Sequence, residues 1–178
     1  MFKVFDNTVP FNIQQHIYEF VIRSNYNIKG WSDRGDLDIS KHDIHSKWSL
    51  QDLKNSLLYS YVIDVLEKSK NDFNYNDFEF QHSAVNVSKK SDYYYTHTHG
   101  AHGEKIIVVL YYVNLEWKQE WAGETLFFDE YNKEAVGVSS FLPGRLIVFD
   151  GKTPHSIRPQ STIGPEYRFT IGTFVKKK

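Results

Sequence analysis

The longest apolar run of the chain reads IIVVLYYV and spans residues 106–113. Its β-branched and aromatic residues favour a β-strand, and we predict a strand over 105–114. The run is far shorter than the roughly 20 apolar residues that a membrane-spanning helix needs. The sequence therefore predicts a buried strand here and no membrane-spanning segment.

Short segments of the same character surround this strand from residue 78 to the end of the chain. Turn-forming residues separate them, for example Gly123, Pro143-Gly144 and Gly151. Many short strands divided by turns are typical of a jelly roll or cupin-like barrel. The predicted strands lie near 78–89, 92–97, 105–114, 124–129, 135–140, 145–150, 155–159 and 167–175.

Helical periodicity dominates the chain before residue 75. Between Pro10 and Ser24, apolar residues recur every three or four positions, which predicts a helix with one buried face. Ser49 and Asp52 have the spacing of a capping box, and the apolar residues behind them predict a second helix that continues to Lys68.

Together these patterns predict a mainly β protein with some α-helix. We expect one domain over residues 1–178, in which a helical support from 1–75 packs on one sheet of a jelly-roll core from 76–178. Residues 25–48, between the predicted helices, are polar and aperiodic, and a loop of this length is disordered or functional.

The two tryptophans of this loop favour a packed flap, and we predict that the flap covers the open end of the barrel. Loops on a rigid scaffold often determine specificity. The candidate substrate-binding side chains are Trp31, Arg34 and Trp48.

Composition excludes several classes of function. The 21 basic and 22 acidic residues give a net charge of -1 without a basic stripe, which argues against nucleic-acid binding. The lack of cysteine excludes disulfide scaffolds, zinc ribbons and cysteine nucleophiles. The first residues, 1–6, do not have the pattern of a signal peptide, so we expect a cytoplasmic location.

Histidines provide the main chemical signal. His97 and His99 are two residues apart, so their imidazoles share one face if the chain is extended there. His155 follows a turn at the start of a later predicted strand and is the candidate third ligand. Imidazole binds Zn, Cu, Fe and Ni, so this group predicts a metal site without identifying the metal.

Six segments extend this observation to the whole C-terminal half. They read YYYTHTH at 93–99, IVVLYYVN at 107–114, GETLFF at 123–128, PGRLIVFD at 143–150, HSIRP at 155–159 and YRFT at 167–170. In this order they resemble the double-stranded β-helix core of the 2-oxoglutarate/Fe(II)-dependent dioxygenases, and most of all the prolyl 4-hydroxylase-like branch. The resemblance covers about residues 80 to 175.

The resemblance implies two histidine ligands for Fe(II), at His97 and His155. The family has a carboxylate where this chain has His99, which is its sharpest departure. Three interpretations stay open: His99 is the third ligand, a nearby carboxylate replaces it, or the site binds metal poorly or not at all. The candidate carboxylates are Glu104, Asp92 and Glu124.

The resemblance also implies a site for 2-oxoglutarate. Arg168 matches the basic residue that binds the distant carboxylate of 2-oxoglutarate, and a guanidinium suits that role because it forms two parallel hydrogen bonds. Thr170 and Tyr112 match hydroxyls that assist it. Arg158 is a competitor, but it would lie on the opposite strand face from His155.

The implied activity is hydroxylation of an unactivated C–H bond with Fe(II), 2-oxoglutarate and dioxygen, yielding succinate and CO2. A peptidyl proline or a small molecule is the expected substrate. Two alternatives remain: a non-catalytic cupin-like jelly roll that binds a ligand, and a three-histidine dioxygenase that does not need 2-oxoglutarate.

Overall fold

A computed structural model of the protein describes residues 1–30, 42–90, 92, 94–100, 104–131 and 133–178. These residues form ten strands and four short α-helices. The strands are β1 Phe2–Phe5, β2 Asn27–Gly30, β3 His42–Trp48, β4 Phe78–Lys89, β5 Ile106–Tyr112, β6 Thr125–Phe128, β7 Ala135–Ser139, β8 Leu146–Asp150, β9 His155–Ile157 and β10 Tyr167–Lys177. The helices are α1 Phe11–Ile22, α2 Leu50–Asn55, α3 Tyr59–Glu67 and α4 Lys70–Phe73.

Two antiparallel sheets form the β-core. The major sheet has the order β1-β8-β5-β10-β4-β3-β2, and the minor sheet has the order β7-β6-β9. The predicted strand 78–89 coincides with β4, and the predicted strands from 105 onward correspond to β5–β10 with ends that differ by at most two residues. The mainly β fold class with supporting helices is confirmed.

Both faces of the major sheet are buried, by different parts of the chain. On the outer face, Val109 and Tyr111 pack in a cluster that includes Leu66 of α3. On the inner face, Tyr112 packs in a second cluster with Phe127 of the minor sheet. Helices therefore cover the outer face, and the space between the two sheets is left for a site. None of the helices in the described parts of the chain combines the length and apolar character needed to span a bilayer.

The second predicted helix is divided into α2 and α3. Its capping box is confirmed, because the Ser49 hydroxyl accepts from the Asp52 N–H and the Asp52 carboxylate accepts from the Ser49 N–H. Leu57 has a φ of 65°, a left-handed conformation that ends α2. Nothing in the sequence signals this break, because Leu57 and Leu58 continue the apolar periodicity.

The prediction of a loop over residues 25–48 was wrong at both ends. Residues 27–30 and 42–48 form β2 and β3, which pair with each other and extend the major sheet beyond β4. The N-terminal β1, which was not predicted, pairs with β8. These short strands are polar or lack clear alternation, so their sequence pattern does not differ from that of a loop.

The predicted strand 92–97 does not form in the described part of that segment. His97 instead makes an isolated antiparallel bridge with His155. This bridge connects the chain after β4 with the first residue of β9, and it fixes the geometry of the site.

Candidate metal centre and co-substrate pocket

Backbone hydrogen bonds bring the three predicted histidine ligands together. The N–H of His97 donates to the carbonyl of His155 at 3.0 Å, and the N–H of His155 donates back to the carbonyl of His97 at 3.0 Å. Opposed residues of an antiparallel pair project their side chains to the same face. The His99 N–H donates to the Gly151 carbonyl at 2.7 Å, which fixes the second imidazole beside the turn that leads to His155.

Gly151 is required at this turn because of a close approach. A Cβ built on Gly151 would lie 3.0 Å from the His99 carbonyl oxygen and 3.0 Å from Ile106 Cβ. Any larger residue would therefore displace the backbone that carries His99.

The imidazoles of His97, His99 and His155 are arranged as a ligand set. Their ring centroids are 4.4 to 4.9 Å apart, and one ligand atom from each lies within 4.8 Å of the others. His97 Nδ1 is 3.0 Å from the Tyr95 carbonyl, and His155 Nδ1 is 2.9 Å from the Thr153 carbonyl. A carbonyl at Nδ1 selects the tautomer with the proton on that atom and leaves the Nε2 lone pair for a metal.

The nitrogen positions fit a divalent transition metal. His99 Nε2 and His155 Nε2 are 3.2 Å apart, and two nitrogens at about 2.1 Å from one ion in adjacent octahedral positions are separated by about 3.0 Å. Burial and then the neighbouring His97 lower the pKa of His155 to about 4. Its imidazole is therefore neutral at pH 7, which is the form that binds a metal.

The carboxylates that were alternatives to His99 do not join this group among the described residues. Asp92 accepts a hydrogen bond from the Lys89 N–H at 2.7 Å, and Glu124 lies 3.6 Å from Arg158 Nη1. The Glu104 side chain is exposed. The geometry therefore supports three imidazoles as the donor set.

Arg168 is fully buried at the inner face of β10, 1% exposed. Its Nε donates to the Gly123 carbonyl at 3.0 Å, and its Cζ lies 4.7 Å from the centre of the Phe141 ring. Among the described residues, its Nη2 has no hydrogen-bond partner. Burial lowers the pKa of Arg168, and nearby Tyr112 opposes this effect. A guanidinium remains charged in proteins, so the buried Nη2 is a donor suited to an anion.

Tyr112 and Thr170 lie beside Arg168. The Tyr112 ring centre is 5.4 Å from Arg168 Cζ, and its hydroxyl is 2.7 Å from Thr125 Oγ1. Thr170 is buried, shares the inner face of β10 with Arg168, and pairs with Tyr112 across the sheet. The sequence interpretation missed Thr125, because the segment around it was interpreted only as a turn and strand start. Its signal is the alternation of Thr125 with inward-facing Phe127 along β6.

A cavity of about 270 Å³ contains the histidine cluster. Thr125 and Thr170 line its inner part, and Phe149 and Phe174 pack against His155 and His99. His45, His82 and Asn86 also line it, and the sequence interpretation missed all three. They belong to β3 and β4, whose pairing brings together residues that are far apart in sequence.

Of the expected substrate-binding residues, Trp48 lies in the described part of the chain. Trp31 and Arg34 lie outside the described residues. Trp48 is on β3, 3% exposed, with its ring 5.2 Å from that of Phe20 and its Nε1 3.2 Å from Ser24 Oγ. Trp48 therefore packs against α1 on the outer face, away from the cavity.

Several solved structures share this fold. The chain is similar to a prolyl-4-hydroxylase from Pseudomonas putida, with a TM-score of 0.70 and 14% identity over 99% of this chain and 92% of that one. It is also similar to a Trichoplax adhaerens prolyl hydroxylase in complex with a hypoxia inducible factor peptide fragment, with a TM-score of 0.72 and 18% identity over 99% and 83% of the two chains. HygX from Streptomyces hygroscopicus, solved with nickel and 2-oxoglutarate bound, has a TM-score of 0.70 and 9% identity over 99% and 83%.

No curated protein matches the chain in sequence. The family model described as the 2OG-Fe(II) oxygenase superfamily matches residues 81–176, which is more than half of the chain. This match begins in β4 and includes the three histidines, Tyr112 and Arg168. The protein is therefore an enzyme of the 2OG-Fe(II) oxygenase superfamily, whose cofactors are Fe(II) and 2-oxoglutarate.

Proposed function

We propose that the enzyme hydroxylates an unactivated C–H bond of a peptidyl proline or a small molecule, with succinate and CO2 as co-products. In this proposal His97, His99 and His155 hold Fe(II). Arg168, with Tyr112 and Thr170, binds 2-oxoglutarate. The observation that carries the proposal is a buried guanidinium on the strand whose inner face also lines the three-imidazole cavity. One of its nitrogens has no hydrogen-bond partner in the described part of the chain.

Each residue has a physical task in this scheme. When bound, Fe(II) and 2-oxoglutarate supply dioxygen activation and C–H oxidation. The carbonyls of Tyr95 and Thr153 hold Nδ1–H of two histidines and so direct Nε2 to the metal. Arg168, which is buried against the Phe141 ring, would donate to the distant carboxylate of 2-oxoglutarate.

Substrate choice is proposed at the level of chemical class. The Trichoplax adhaerens enzyme binds a peptide fragment, which supports a peptide as one candidate here. The cavity of about 270 Å³ is small, so it suits one side chain or one small molecule. Contacts from Trp31 and Arg34 stay predictions, as does the cytoplasmic location. Trp48 is not expected to contact the substrate, because it packs against α1 on the outer face.

Calorimetric titration of 2-oxoglutarate into metal-free protein tests the proposal. We expect binding only with Fe(II) or Mn(II) under anaerobic conditions, and loss of binding in Arg168→Ala. Arg145→Ala is the matched control, because Arg145 pairs with Asp6 outside the cavity. Binding without metal, or equal binding in Arg168→Ala, would contradict the assigned site.

Two alternatives from the sequence, a non-catalytic ligand-binding jelly roll and a dioxygenase independent of 2-oxoglutarate, disagree with the membership of the chain in this superfamily.

A further inference from the structure

The cavity has an unusual composition for a site of its size. Among the described residues, five histidines line it, and neither Asp nor Glu does. Three of these histidines form the metal cluster. The other two, His45 and His82, have no role in the proposed function.

His45 and His82 lie on one wall of the cavity. His45 of β3 pairs with Asn86 of β4, and His82 is four residues before Asn86, so all three project from the same face of the sheet. Lys47 has the same orientation two residues after His45, and its side chain is exposed. This wall therefore carries two imidazoles and, at its edge, one permanent positive charge.

The position of His82 is fixed by stacking. Its ring lies 4.5 Å from that of Phe174 at an interplanar angle of 17°, and Phe174 contacts His99 edge-on at 4.8 Å. Burial and then the charge of Lys47 lower the pKa of His82. A neutral imidazole has one N–H donor. His82 therefore presents a donor in a fixed position, separated from the metal cluster by the Phe174 ring.

The charge of the metal cluster also favours an anionic substrate. A divalent ion with two imidazoles, one carboxylate and a 2-oxoglutarate dianion carries one net negative charge, which repels an anionic substrate. With three neutral imidazoles the same complex carries no net charge. Because charges interact more strongly in a partly enclosed cavity than in bulk water, this difference favours an anion in the remaining space.

We propose that the substrate carries a carboxylate close to the oxidised carbon, and that His45, His82 and Lys47 bind this carboxylate. The proposal rests on the proposed function and deepens it by stating the substrate class. The carboxylate belongs either to a free acid, such as an amino acid or a peptide C-terminus, or to an acidic side chain beside the oxidised residue. Glu104 lines an adjoining pocket together with His82 and His99, but its side chain is exposed to solvent, which screens its charge.

Binding of matched acids and amides tests the proposal without turnover. The full chain is loaded with Zn(II) and 2-oxoglutarate, and dissociation constants are measured by calorimetry. One pair of probes is N-acetyl-proline and its amide; the other is a capped tripeptide with glutamate beside proline and its glutamine counterpart. We expect the acid of at least one pair to bind tenfold or more tightly than its neutral partner, and the pair that shows this identifies the source of the carboxylate.

Variants test whether the cavity wall that contains His45 and His82 causes the preference for the acid. Lys47→Gln and His82→Leu are expected to reduce the acid preference to less than threefold, whereas Lys54→Gln, an exposed change on α2, retains it. If His82→Leu unfolds at a lower temperature than the wild type, His82→Gln replaces it, because glutamine keeps an N–H donor. Equal binding of acid and amide in both pairs, or an unchanged preference in both wall variants, overturns the inference while 2-oxoglutarate still binds. Loss of 2-oxoglutarate binding by the wild type contradicts the proposed function itself.

Discussion

Replacement of Arg168 by Met separates the function of this residue from its contribution to folding. The guanidinium is 1% exposed and has one nitrogen without a partner among the described residues. Without a bound anion, such a group loses hydration on burial and gains few interactions that compensate for the loss. Replacing a buried ion pair by apolar residues of similar volume is often neutral or stabilising by about 1–4 kcal/mol, and the same desolvation argument applies to this guanidinium.

The expected effect is small in the ligand-free protein and large in the ligand-bound protein. The variant loses the hydrogen bond from Nε to the Gly123 carbonyl, which costs about 1–3 kcal/mol, so the metal-free protein should stay within about 1 kcal/mol of the wild type. Two charge-assisted hydrogen bonds to the co-substrate contribute about 3 kcal/mol or more. Affinity for 2-oxoglutarate should therefore fall at least about 100-fold.

Urea unfolding with and without Mn(II) and 2-oxoglutarate measures both effects. The wild type should gain about 2.7 kcal/mol at a ligand concentration 100 times its dissociation constant, and the variant should gain almost nothing from 2-oxoglutarate. Arg145→Met is the control, because it removes an arginine already paired with Asp6 at 2.7 Å. A loss of more than about 3 kcal/mol in the ligand-free Arg168→Met protein, or unchanged ligand stabilisation, would refute the reasoning.

Three further predictions concern the metal ligands and one ion pair. His155→Ala should abolish Co(II) binding, followed by absorption spectroscopy, with little change in circular dichroism; unfolding at room temperature would show a structural role. His99→Asp should preserve or improve iron-dependent turnover of 2-oxoglutarate, and lower iron affinity would mean that the imidazole geometry is essential. The Arg145 hydrogen bond lowers the pKa of Asp6, so the wild type should exceed Arg145→Met in stability above about pH 4 and lose this advantage as the pH falls below it; an advantage constant down to pH 2 would exclude the pair as its source.

The parts of the fold with strong local signals were predictable. Alternation and turn residues located β4 to β10, and a capping box located the start of α2. The left-handed Leu57 was not predictable, because its conformation has no local sequence signal. The pairing of β2 with β3, and of β3 with β4, was not predictable either, since it depends on contacts between distant polar segments.

The candidate site also has parts that the sequence predicts and parts that depend on packing. The spacing of His97 and His99, the turn before His155 and the motif around Arg168 are visible in sequence. The wall that includes His45 and His82 is visible only after β3 is attached to β4. Burial of Arg168 without a partner for Nη2 is likewise a property of packing, and the motif alone does not indicate it.

The bridge between His97 and His155 also has a mechanical consequence. His155 opens a strand of the minor sheet, whereas His97 and His99 follow β4 of the major sheet, and His99 and His155 are separated by 56 residues. An ion bound by all three imidazoles therefore crosslinks the segment that follows β4 to the first residue of β9. Because the unfolded chain does not preserve this ligand geometry, the ion stabilises the folded protein through its own binding free energy. In a chain without cysteine, this crosslink forms when the ion binds and is removed by chelation, so metal supply sets how firmly these two segments are held together.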